Sequence, residues 1–314
     1  MMREMRFASM REAFAHALIE EGEENDAIVA LVADTFKRIS SFAQRFPRRA
    51  FNVGIAEQNL IGVAAGLALS GKIPVVSSIG TFVTMRCFEQ IRNDVGYQAT
   101  NVKIVGTECG VNQGKYGATH LPVEDIALMR CIPRFAVLAP ADPYETYAAT
   151  KALLRHSTGG YMRLGSEPNR MIYDKDISFE LGKIRLLQEG GKEVALLACG
   201  AMVEVALDAA HLLRKEGIMA WVADVHTIKP LDTEAIAKLA GSVRHLFTLE
   251  EHMITGGLGS AVAEVVAAQR ASCVLQRFAL PDEYLPVGSK AELLDYCGLT
   301  PLGVCQSVLA AIRE

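Results

Sequence analysis

The chain has 314 residues, with 32 Lys and Arg against 36 Asp and Glu, a net charge of −4, and 50% apolar against 22% charged residues. This balance, without a long basic run, excludes nucleic acid or an anionic membrane as the main partner and favours a small-molecule substrate. The length suits two α/β domains, and the apolar excess suits parallel strands buried on both faces. No apolar stretch reaches the ~18 residues of a membrane span. Met1 to Glu12 alternates charged and apolar residues with no secretory h-region, so a cytoplasmic protein is expected.

From Asp26 onward, β-branched runs alternate with helical patterns, the signature of βαβ units. Strands are predicted over 27–32, 73–78, 102–106 and 135–138, and helices over 56–69, 81–94, 123–130 and 144–155, where apolar residues recur at three- and four-residue spacing. A polar stretch with weaker periodicity follows from Glu167 to Gly191. It places a linker at 176–190 between a first domain, 1–175, and a second, 191–314. The alternation then restarts with strands over 194–198, 219–225 and 246–249 and helices over 202–215 and 233–239, with a further helix from Gly259. The expected fold class is therefore α/β, two domains, each a mostly parallel sheet flanked by helices.

Gly256-Gly257-Leu258-Gly259, entering that last helix, fits either a phosphate cradle on helix amides or a tight loop that lets the helix pack closely on its sheet. Cys87, Cys109, Cys131, Cys199, Cys273, Cys297 and Cys305 form no C-x-x-C pair. They read as reduced, buried thiols, and no metal site is expected in this chain.

Phe51-Asn52-Val53-Gly54-Ile55-Ala56-Glu57-Gln58-Asn59, followed by an Ala/Gly/Leu-rich helix, resembles the G-I-A-E-Q motif of transketolases, deoxyxylulose-phosphate synthases and 2-oxo-acid dehydrogenase β subunits. Ser77-Ser78-Ile79-Gly80-Thr81-Phe82 resembles that group's S-T-F turn, and Gly117-Ala118-Thr119-His120-Leu121-Pro122-Val123-Glu124 its G-P-T-H-Q-P-V-E run. The segments from Asp224 to Asp232 and from Glu250 to Gly259 resemble its C-terminal domain. The order and rough spacing hold across essentially the whole chain. The resemblance implies a thiamine-diphosphate pyrimidine-binding fold followed by a transketolase C-terminal Rossmann-like fold.

Full-length transketolases carry an upstream domain whose G-D-G…N motif binds Mg²⁺ and the cofactor diphosphate, and this sequence has no such motif. The resemblance therefore implies a separate N-terminal subunit that supplies this domain, in an α₂β₂ heterotetramer with thiamine diphosphate at the subunit interface and Mg²⁺ held mainly by the partner.

Residue by residue, the resemblance makes Glu57 the acid that hydrogen-bonds a ring nitrogen of the cofactor's aminopyrimidine and activates it. Phe82 becomes the aromatic face on which the pyrimidine stacks. Asp34 lies near the thiazolium, and His120 contacts a substrate oxygen, a role suited to an imidazole that can donate to a developing alkoxide. Arg11 matches a phosphate-binding arginine. Two departures bear on the substrate: Glu108 stands where the group has a phosphate-contacting His, and Tyr116 where it has an Asp that reads a sugar hydroxyl. Ser166 appears where an Arg is expected. A carboxylate is electrostatically wrong for a dianionic sugar phosphate, so an unusual ketose or a 2-oxo acid donor is expected. The activity implied is transfer of a two-carbon ketol or related acyl carbanion unit to an aldehyde. A 2-oxo-acid dehydrogenase β subunit, a deoxyxylulose-phosphate-synthase-like enzyme and a non-catalytic scaffold on the same fold are the alternatives.

Overall fold

The computed structural model describes residues 7–34, 36–165 and 170–313. Contacts divide the chain into two compact units, one of Met1–Cys109 with Leu128–Leu181, the other of Gly110–Ala127 with Gly182–Glu314.

In the first unit the strands are β1 (Ile28–Val32), β2 (Ala50–Asn52), β3 (Ile73–Ile79), β4 (Lys103–Thr107), β5 (Ala136–Leu138) and β6 (Gly160–Arg163). They pair in parallel in the order β5-β6-β4-β3-β1-β2. Every residue of β1 and β4 is buried, as expected of central parallel strands covered on both faces. Two helices cover part of the sheet, Met10–Glu24 and Pro143–Arg155, and their Phe14, Leu18, Leu153 and Leu154 enter the same core as β1 and β6.

Both helices begin on side-chain caps. Ser9 accepts the Glu12 N–H at 3.2 Å, and Asp142 accepts that of Glu145 at 2.8 Å with Pro143 opening the helix. The other oxygen of Asp142 accepts from Ile172 and Tyr173 at 2.7 and 2.8 Å, so one buried carboxylate starts a helix and ties down a later loop. The Lys103 ammonium is fully buried and donates to the carbonyls of His156 and Thr158 at 2.7 and 2.6 Å, just past the end of the second helix.

The strands of the second unit are β7 (Arg185–Gln188), β8 (Val194–Ala198), β9 (Trp221–Asp224), β10 (Thr227–Lys229), β11 (His245–Met253) and β12 (Val274–Leu280). Its sheet has the order β12-β11-β8-β9-β7, parallel except for β7, which pairs antiparallel with β9. β7 lies inside the polar stretch that the sequence pattern reads as a linker. Helix Met202–Lys215 buries Val203, Ala206, Ala210 and Leu213 along one stripe.

The Gly256–Gly259 loop is a packing device. Glu250, fully buried on β11, accepts the N–H groups of Leu258 at 2.6 Å and Gly259 at 2.7 Å, the amides a phosphate would need. A side chain at Gly257 would collide with Glu250 Oε2. The phosphate alternative is thereby overturned: the helix N-terminus already holds a protein anion.

Residues 290–311 reach a mean hydropathy of 1.2, a value compatible with a membrane span by composition. They fold as two short helices, Lys290–Tyr296 and Pro301–Ala311, with a left-handed Gly298 between them. Each is shorter than the ~20 helical residues that cross a bilayer.

Candidate cofactor and substrate site

The first unit gathers Arg11, Asp34, Glu57, Phe82 and Glu108, four of them just beyond the carboxyl ends of parallel strands, where open α/β sheets bind ligands. Asp34 follows β1, Glu57 follows β2, Phe82 follows β3 and Glu108 follows β4.

The turn from β2 into helix Glu57–Leu69 is built on Asn52 and Gly54. The Asn52 side chain accepts the Gly54 N–H at 2.9 Å and donates to the Asp34 carbonyl at 3.0 Å, while Asp34 N–H bonds the Gly54 carbonyl at 3.2 Å. Gly54 takes φ +80°, a left-handed value that favours glycine. This turn delivers Glu57 as the first helical residue, where the helix dipole favours an anion. Its side chain is 1% exposed, with Oε1 accepting from the Ser78 hydroxyl at 3.4 Å.

The second oxygen, Oε2, accepts from Arg86 Nη1 at 2.6 Å. The Arg86 guanidinium also stacks 4.5 Å from the centroid of the half-buried Phe82 ring. The helix predicted over 81–94 is broken here: Gly80–Thr84 stops, Phe88–Gln90 restarts, and the backbone continues as a π-helix over Ile91–Tyr97. The Phe88 N–H bonds Met85 O at 3.3 Å, one residue short of the α-helical partner. Arg86 stands at this break.

Glu108 and Asp34 share an unusual backbone, with φ of +60° and +67°. Positive φ in non-glycine residues clusters at functional sites. Glu108 is 8% exposed, and Arg11 Nη1 lies 3.6 Å from its Oε1. Arg38, which sequence reasoning missed, donates from Nε to Thr107 Oγ1 at 3.3 Å. Burial lowers its pKa, opposed by the charges of Glu108 and Asp34, and its buried Nη1 has no hydrogen-bond partner among the described residues. Arg11, Arg38, Lys37 and His16 line a groove of about 350 Å³ with Ser9 and Ser41.

Tyr116 and His120 belong to the second unit. Their rings lie 5.2 Å apart on consecutive short turns, and Thr119 Oγ1 pairs with His120 Nδ1 at 3.0 Å. Tyr116 is 61% exposed. The segment carrying them is held by β11. Glu251 accepts the Val111 N–H at 2.8 Å, His252 Nε2 accepts that of Ala127 at 3.2 Å, and the Met253 N–H donates to Val123 O at 2.9 Å. His252 Nδ1 lies 2.7 Å from the Met253 carbonyl, so the neutral Nδ1–H tautomer satisfies both ring nitrogens. A cavity of about 280 Å³ opens beside the segment, lined by Ala118, Leu121, Glu124, Met253 and Tyr284, and burial raises the Glu124 pKa. Ser166 lies outside the described residues.

The fold and these groups define an α/β chain of two units, the first presenting a buried helix-start carboxylate beside an aromatic face. Transketolase pyrimidine-binding and C-terminal domains match residues 7–164 and 182–304. The chain belongs to the transketolase family. A transketolase C-terminal section of Methanocaldococcus jannaschii is 38% identical over 98% of both chains. A 6-deoxy-6-sulfo-D-fructose transketolase subunit of Clostridium sp. is 40% identical over 93% of this chain and 90% of its own. A solved split-gene transketolase, an inactive β4 tetramer, superposes with a TM-score of 0.88 at 41% identity, covering 98% of this chain and 99% of that one. The chain spans 46% of a Campylobacter jejuni transketolase, which at 16% identity and a TM-score of 0.79 shares the fold.

The family generally uses thiamine diphosphate with a divalent metal. The Glu57 carboxyl and the Phe82 face, which Arg86 occupies with one hydrogen bond and one stack, would suit an aminopyrimidine, whose ring nitrogen and flat face call for the same two groups. Among the described residues no group of three or more His, Cys, Asp or Glu side chains converges as a metal site.

Proposed function

We propose that this chain is one half of a transketolase-type enzyme that moves a two-carbon ketol unit from a ketose or 2-oxo acid donor to an aldehyde. It acts with a separate chain that holds the cofactor diphosphate and Mg²⁺, in an α₂β₂ assembly. The subunit and section names of relatives that match end to end support the split arrangement. The observation that carries the reading is Glu57, buried at a helix start beside Phe82.

Bound there, thiamine diphosphate supplies the nucleophilic carbon for the transfer. Glu57 holds a pyrimidine ring nitrogen, Ser78 orients the carboxyl, and the Phe82 face excludes water from the ring. Asp34 would help hold the thiazolium end of the cofactor. His120 donates to the substrate oxygen on which charge develops, with Thr119 holding its other nitrogen. Glu108, Arg11 and Arg38 select the substrate's far end, and Tyr116 is a separate candidate for substrate contact. A deoxyxylulose-phosphate-synthase-like reaction is the second reading, favoured by relatives of that name at 34% identity over 94% of this chain.

Glu57→Gln in the reconstituted complex is expected to lower kcat by about 10²–10⁴-fold, the usual worth of a positioned acid or base. Full activity of that variant would sink the catalytic assignment. Calorimetry with thiamine diphosphate and Mg²⁺ is expected to show tight binding only when both chains are present.

A further inference from the structure

The Arg86 guanidinium sits where the reading above puts the cofactor's aminopyrimidine. It satisfies the buried Glu57 carboxylate at 2.6 Å and covers one face of Phe82 at 4.5 Å. The oxygen it holds and the face it covers cannot serve a second planar group at the same time.

We propose that Arg86 is an internal ligand of the Glu57–Phe82 cradle, a planar cation that holds the carboxylate in the cofactor-free chain and swings out when the aminopyrimidine enters. The proposal rests on the cofactor reading above. The Arg86 side chain is 44% exposed while that of Glu57 is 1% exposed, so the arginine can retreat into water and the glutamate cannot. Arg86 also stands at the break in the helical ladder. The next residue, Cys87, is anchored by its thiol, which donates to Val83 O at 2.9 Å. The displacement proposed is a rotation of the Arg86 side chain.

Two consequences follow from the chemistry. Without the cofactor, Arg86 spares the chain an unpaired buried carboxylate, which is strongly unfavourable. With the cofactor, the closed cradle lowers apparent affinity by the fraction of molecules in which the arginine is already out.

The test is calorimetry of thiamine diphosphate with Mg²⁺ on the reconstituted complex, using the native chain, Arg86→Met and Arg86→Lys, together with melting of each form with and without the cofactor. Arg86→Met is expected to bind about tenfold more tightly, because the competing group is gone. Its melting temperature should fall without the cofactor and stay unchanged when saturated, whereas a merely structural arginine would lower both. Arg86→Lys keeps the charge but loses the planar stack, and should fall between the two. Equal or weaker binding by Arg86→Met, with normal binding by the native complex, overturns the internal-ligand proposal alone. No binding by any form overturns the cofactor reading and this proposal with it.

Discussion

Arg11 Nη1 lies 3.6 Å from Glu108 Oε1, which places a cation beside the carboxylate that by sequence alone opposes an anionic substrate. Arg38 adds a second positive charge to the same neighbourhood. Glu108 is thus one anion flanked by two arginines, and it competes with a substrate anion for them. Glu108→Gln should free this capacity and lower KM for a ketose phosphate by about three- to tenfold, the range of one charge-assisted bond partly exposed to water. KM for an uncharged ketose should hardly move. Steady-state kinetics on the two substrates checks this, and an equal change for both would remove Glu108 from substrate selection.

Gly257→Ala drives a methyl group into Glu250 Oε2 and toward His252 Nδ1. Glu250 must then move away from Leu258 and Gly259, leaving two helix-start amides without their acceptor. A loss of about 2–4 kcal/mol is expected from strain plus the lost charge-assisted bonds. Urea unfolding against the native chain measures it, and a change below about 0.5 kcal/mol would mean the loop yields freely.

His226 is 4% exposed, and burial, with the Arg185 charge in support, depresses its pKa from 6.5 to about 4. Between these values the unfolded chain binds the proton and the folded chain does not. The stability this group contributes is present in full above about pH 6.5 and is lost as pH falls through about 4. The loss amounts to about 3 kcal/mol at most, at 1.36 kcal/mol per pKa unit. His226→Gln should flatten this part of the curve of stability against pH in denaturant titrations between pH 7 and 4. An unchanged acid slope would place the sensitivity elsewhere.

The elements legible in sequence were those that state their own boundaries. Helix Met202–Lys215 and strand Val194–Ala198 match their predicted limits, because an amphipathic stripe stopped by Gly217 and an unbroken apolar run are local signals. β12, buried only at Phe278 and Leu280, and the short β2 and β7 have no such pattern, since their conformation comes from the strand beside them. The break at Arg86 gives no periodicity signal, because the residues on both sides keep helical spacing.

By itself the sequence determined the family and the alternation of strand and helix, and it singled out Glu57, Phe82 and His120 as candidates through motifs whose residues are neighbours in the chain. Only the tertiary structure decided who meets whom. Ser78 and Arg86 reach Glu57 across 21 and 29 residues, and Arg38 reaches Thr107 across 69, because parallel strands bring their carboxyl ends together regardless of separation along the chain. Glu250 claimed the glycine loop for packing in the same way, through burial and hydrogen-bond geometry that no motif records.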